Sequence, residues 1–234
     1  MFTSPLFFIF IFFALLSWLV SSRLKSRFQK YSQVPLAGGL SGREVAERML
    51  ESNGLRNVRV ISVDGQLTDH YNPADRTVNL SHDVFYGRSV AAAAVAAHET
   101  GHAIQHYQSY AFLEFRSALV PLQNVSAKVL NVIFIAMFAG AFLLPGLMPM
   151  KLALQVIIAA YAVFTLFAFV TLPVEIDASR RALAWLNSSG ITSGTTQEQA
   201  KDALKWAAYT YVVAALSALA TLVYYIMIYT SRRD

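Results

Sequence analysis

The stretch "AAAAVAAHETGHAIQH", residues 91–106, sets histidines four apart in a run of alanines. Alanine is the strongest helix former, so the run predicts a helix from about Ser89 to Gln108. At 3.6 residues per turn, positions four apart differ by about 40° around the axis. His98 and His102 therefore share one face, and Glu99 flanks it. Gly101 costs up to about 1 kcal/mol there relative to alanine, which predicts another element packed against the backbone.

Two imidazoles on one helix face can meet one metal ion, and H-E-x-x-H is the spacing of helix-borne zinc peptidase sites. Zinc held in this way brings water toward ionisation near neutral pH. Glu99 is placed to take the water's proton and hand it to a leaving amine. An unpartnered histidine on an alanine face would instead incur a desolvation cost.

Composition says where this helix works. Of 234 residues, 56% are hydrophobic and only 14% charged, against about 25% charged in soluble domains. The chain lacks cysteine, which excludes disulfides, thiolate metal ligands and a cysteine nucleophile. Four stretches approach the roughly 20 apolar residues needed to cross a bilayer: residues 1–20, 129–150, 152–174 and 206–230. The first lacks a basic start and a small-residue cleavage site, so a retained anchor is expected rather than a signal peptide. The expected organisation is an anchor (1–20), an extramembrane α+β segment with the histidine helix (21–128), and a membrane hairpin (129–174). A second pair of extramembrane helices (175–205) and a last span (206–230) follow. Arg23, Lys25, Arg27, Lys30, Arg116, Lys128, Arg180, Arg181, Lys201 and Lys205 flank one side of the spans. Lys151, Arg232 and Arg233 flank the other. The positive-inside rule then puts the large segment in the cytoplasm and both termini outside.

Within the large segment, "LSGREVAERMLESNGL" reads as an amphipathic helix with Ser41 as N-cap, Glu44 completing a capping box and Gly54 as the stop. "NVRVISV", "LTDHY" and "RTVNLS" alternate as strands, separated by Asp64-Gly65 and Asn72-Pro73 turns, and predict an antiparallel meander. "TVNLS" is the strand to which a substrate backbone could add. Pro173 is expected at the first turn of a new helix, and Thr195 with Glu198 in a second capping box.

A catalytic zinc site needs a third protein ligand. The candidates are His70, His106, Glu114, Glu175 and Asp177. His106 continues a straight row about 6 Å beyond His102, which suits a tetrahedral site poorly. Glu175 stands where the third span ends, and two spans separate it from His102, so the chain returns to the same side. Acids there also suit a helix N-terminus, with Asp177 pairing Arg180 or Arg181, so spacing alone leaves the choice open. His70, Tyr71, Tyr107 and Arg180 are the possible donors to a transition-state oxyanion.

"KYSQVPLAGGLSGREVAERML", "LTDHYNPADRTVNLS", "VAAHETGHAIQH", "RSALVP" and "PVEIDASRRAL", in that order over roughly residues 30–187, resemble the YugP-like family of bacterial membrane zinc metallopeptidases. The resemblance implies Zn2+ held by His98 and His102, with Glu99 as catalytic acid/base. HtpX and the CAAX prenyl proteases are more distantly similar. Their third ligand is the first glutamate of an E-x-x-A-D-type stretch. Glu175 and Ala178 match that pattern. Ser179 stands where those families carry aspartate, and Asp177 is the nearby acid that can substitute. The expected fold is a mainly α multi-pass membrane protein: about four transmembrane helices and a small zincin-like α+β cytoplasmic domain. The expected activity is zinc metalloendopeptidase, in a bacterial inner membrane with the site on the cytoplasmic side. Its partners are polypeptides, membrane proteins among them, and the lipid bilayer, not nucleic acid. The alternative is a non-catalytic zinc-containing scaffold, which would have no use for Glu99. A transporter ranks last, because the spans lack the buried ionisable groups of an ion pathway.

Overall fold

A computed structural model describes residues 5–142 and 149–231. The elements, in order, are α1 (Pro5–Ser32), α2 (Gly42–Ser52), β1 (Arg59–Val63), β2 (His70–Asn72), β3 (Thr77–Ser81), α3 (His82–Phe85), α4 (Val90–Tyr107), α5 (Ala111–Phe142), α6 (Met150–Ser188) and α7 (Gly194–Ser231). Among the described residues, four helices, α1, α5, α6 and α7, are long and apolar enough to cross a membrane. The chain forms two compact units. One holds the described parts of residues 1–17, 115–171 and 211–234, and the other residues 18–114 and 172–210.

Within the first unit, Leu130 and Ile133 of α5 pack with Ala153, Ile157 and Ala160 of α6. Phe8, Phe10, Phe12 and Leu15 of α1 stay exposed, as expected of side chains that lipid would cover. The long helices extend past the spans expected from the sequence. α6 has 39 residues, about 58 Å, roughly twice the hydrocarbon thickness of a bilayer. Pro173 lies inside α6 rather than opening a new helix. It removes one backbone donor, and the helix continues because Val174, Ala178, Ala182 and Leu186 form a fully buried stripe beyond it. α7 likewise merges the expected short helix with the last span. Its start is tied by Ser193 and Thr196, with the Ser193 N–H donating to Thr196 Oγ1, not by Thr195 and Glu198. α5 begins at Ala111, well before residue 129, so Arg116 and Lys128 lie on it. Residues 1–4 of the expected anchor, 143–148 of the second expected span, and Arg232 and Arg233 lie outside the described residues.

The second unit is built around α4. Its alanines are small, so neighbours approach closely: Ala92, Ala93, Ala96 and Ala97 join one buried core with Val45, Ala46, Met49 and Leu50 of α2 and Val78 and Leu80 of β3. Ala182 and Leu186 of α6 and Ala200 and Leu204 of α7 complete that core. The capping box on α2 forms as the sequence predicts, with Ser41 and Glu44 bonding reciprocally, and Gly54 takes a positive φ just past the helix.

The sheet differs from the meander. Its order is β1-β3-β2, with β1 parallel and β2 antiparallel to β3. β3 takes the centre because all five of its residues are buried, including Thr77, Asn79 and Ser81, whereas β1 is largely exposed. The Asp69 carboxylate accepts from both the Ser81 N–H and its hydroxyl, which ties the connection after β1 to the end of β3. A central strand has neighbours on both sides, so "TVNLS" is not free to take a substrate backbone as an added strand.

Candidate metal centre

Ser89 caps α4, its Oγ accepting from the Ala92 N–H. Three turns on, α6 lies against the helix at Gly101. A Cβ at Gly101 would come 2.8 Å from the Ala178 carbonyl oxygen and 3.2 Å from its Cα. This is the close approach that a glycine in that position predicts, and it sets the position of Glu175, which precedes Ala178 by three residues and shares its face of α6.

His98, His102 and Glu175 come together, one ligand atom from each lying within 4.8 Å of the others. Glu175 Oε2 stands 3.3 Å from His98 Nε2 and 3.6 Å from His102 Nε2. Four ligands about 2.0–2.1 Å from a tetrahedral zinc ion stand about 3.3–3.5 Å from one another, and the two distances from Glu175 Oε2 to the imidazole nitrogens lie at or close to that spacing. The other ring nitrogens are engaged. His102 Nδ1 lies 3.0 Å from Gln105 Oε1 and His98 Nδ1 3.0 Å from Ser179 Oγ. Gln105 Nε2 donates to the Val174 carbonyl and to Asp177 Oδ2, so its oxygen faces His102 and takes the Nδ1 proton. His102 Nε2 is thereby left as a lone-pair donor aimed at Glu175, the tautomer a metal ligand needs, and the Ser179 hydroxyl is able to accept the Nδ1 proton of His98 in the same way.

Electrostatics agree. Burial opposes charging His102, but the hydrogen bond and charge of Glu175, with a contribution from Glu99, outweigh it and raise its pKa above the ordinary imidazole value. A field that attracts a proton to this cluster also attracts a dication. Glu99 is partly exposed, next to His98 in the chain, and outside the ligand group.

The other candidates are placed elsewhere. His70 Nδ1 lies 2.8 Å from the Thr68 carbonyl, His106 Nδ1 2.9 Å from the Tyr71 hydroxyl, and Glu114 is exposed. Asp177 accepts from Arg180 at 2.6 Å and from Arg181 at 2.5 Å as well as from Gln105, so it supports His102 through an intermediary. Ser179 is in contact with His98 itself. Gln105 is the residue that sequence reasoning missed. Its signal is a glutamine one turn after His102 on a helix otherwise buried through alanine, where its amide must find partners.

Residues 6–230 match the family described as "Putative neutral zinc metallopeptidase". A similar protein is the "Putative membrane protease YugP" of Bacillus subtilis (strain 168), 41% identical over 220 residues, which cover 94% of each chain. No solved structure matches.

Proposed function

The chain belongs to this zinc metallopeptidase family, and from that premise we propose that it is a membrane-integrated endopeptidase with its site at the cytoplasmic face. The observation that carries the reading is the convergence of His98 Nε2 and His102 Nε2 on Glu175 Oε2, with both Nδ1 atoms already committed. His98, His102 and Glu175 hold the metal. Zinc, when bound, supplies the Lewis acidity that makes water a nucleophile near neutral pH. Glu99 takes the proton of the attacking water on its carboxylate and delivers it to the leaving amine nitrogen. Gln105 and Ser179 hold the imidazoles in orientation, and Asp177 holds Gln105. The cytoplasmic assignment rests on Arg23, Lys25, Arg27 and Lys30 immediately after the apolar part of α1, in the same compact unit as the site. The substrates are polypeptides, membrane proteins among them.

The test compares purified wild type with Glu99→Gln and Glu175→Ala for casein cleavage and zinc content. Glu99→Gln should keep its zinc and lose about 10²–10⁴ in rate, the worth of general acid–base catalysis. Glu175→Ala should lose zinc and activity together. Equal activity in wild type and Glu99→Gln refutes the peptidase reading. Full metal in Glu175→Ala refutes the third ligand.

A further inference from the structure

His106 lies outside the metal cluster yet on the same face of α4. It follows His102 by four residues, so its Cα stands about 6 Å further along the axis and about 40° round it. The residue is exposed. Its ring is nonetheless held: the Tyr71 hydroxyl stands 2.9 Å from Nδ1, with ring centroids 5.8 Å apart. Tyr71 belongs to β2, an outer strand of the sheet, so this contact brings that edge to the same face of α4. A neutral imidazole can accept the phenol hydrogen at Nδ1, and we assign the Tyr71 hydroxyl as the donor. The ring proton is then on Nε2, and the imidazole offers an N–H donor that the zinc cluster does not use.

The spacing fits a peptide. In an extended chain, carbonyls two residues apart point the same way and repeat about every 6.6–6.8 Å. The four-residue step from His102 to His106 advances about 6 Å along α4, within about 1 Å of that repeat. A polypeptide laid along α4 with its scissile carbonyl over the cluster would bring the carbonyl two residues away to the level of His106.

We propose that His106 is a substrate-binding residue, positioned by Tyr71, whose Nε2–H donates to a substrate backbone carbonyl two residues from the scissile bond. This rests on the peptidase reading and adds a contact that zinc chemistry alone does not require.

The test uses the full chain carrying Glu99→Gln, so that binding is read without cleavage. A fluorescent casein-derived peptide is titrated against this parent and against the same protein with His106→Ala, His106→Gln or Tyr71→Phe, with zinc content measured throughout. His106→Ala should weaken binding about three- to ten-fold, the worth of one neutral hydrogen bond, with zinc unchanged. His106→Gln should recover part of that loss, because its amide still donates. Tyr71→Phe should fall between parent and His106→Ala. In otherwise wild-type protein the loss should appear in KM more than in kcat. Unchanged affinity in His106→Ala overturns the proposal, as does a loss that tracks zinc release without glutamine rescue, or the absence of peptide binding in every protein. If the binding series behaves as expected while the wild type cleaves nothing, the peptidase reading fails and the peptide contact stands.

Discussion

Replacing Gly101 by alanine tests whether the approach of α6 to α4 sets the metal centre. The new Cβ would meet backbone atoms of Ala178, the carbonyl oxygen at 2.8 Å and Cα at 3.2 Å. The first lies about 0.7 Å inside ordinary contact distance. Backbone in the middle of a long helix cannot swing aside as a side-chain tip can, so α6 must move away as a body. Glu175 moves with it. A shift of that size carries Glu175 Oε2 from 3.3 and 3.6 Å to about 4 Å from the two imidazole nitrogens, while zinc ligation tolerates about 0.2 Å. Zinc affinity should fall about 100-fold, the upper end of what disturbed ligand support costs. Fold stability changes less. Overpacking costs about 1–3 kcal/mol, and the better helix propensity of alanine offsets up to about 1 kcal/mol of it. Adding Ala178→Gly should not restore binding, because the atoms met belong to the backbone. The assay is zinc retained at equilibrium against a graded chelator, with thermal unfolding alongside. A Gly101→Ala protein that binds zinc within three-fold of wild type refutes the reasoning.

Gln105→Leu leaves His102 Nδ1 and the Asp177 carboxylate without their shared amide, and should lower zinc affinity about 10- to 100-fold while Glu175 and His98 stay in place. Chelator competition reads it, and unchanged affinity would mean that Gln105 does not orient the ligand. Burial pushes the Asp69 carboxyl above its usual 3.8, against the opposing hydrogen bonds from Ser81. The native state thus holds this proton more tightly than the unfolded chain. Its contribution to stability falls as pH rises from 3.8 through the higher folded value, and is level above it. Asp69→Asn should flatten that decline in melting temperature and match or exceed the parent at pH 7. An identical slope in both proteins would assign the decline to another group.

Local signals were legible wherever a few adjacent residues complete a structural unit. Ser41 and Glu44 make their capping box because both partners sit within one turn. Gly101 announced a neighbour because glycine has no other reason to interrupt an alanine helix. His98 and His102 are fixed relative to each other by helical geometry alone. What was not legible depends on distant partners. Strand order is not legible locally, because Asp64-Gly65 signals a turn without saying that the chain then passes to the far side of β3, a step that the Asp69–Ser81 bonds stabilise. Pro173 suggests a helix start, since the sequence alone does not show the buried stripe from Val174 to Leu186 that carries α6 through it. Gln105 carries no motif, and its role appears only when Val174 and Asp177 arrive from another helix.

The metal centre also constrains how the chain is threaded. The imidazoles precede α5 and α6, and the carboxylate follows the apolar part of α6, yet all three belong to one compact unit with oxygen and nitrogen 3.3 Å apart. A single crossing between His102 and Glu175 would leave the bilayer between the ligands, so the number of crossings must be even. Zero crossings would leave two long apolar helices, with Val132, Phe134, Ile135 and Phe138 of α5 exposed, facing water. Two crossings satisfy both the site and the apolar surface. On the proposed membrane-integrated reading, the hairpin is what returns Glu175 to the side of His98 and His102, and a change that tips one of its helices out of the membrane should cost zinc before it costs the fold around α4.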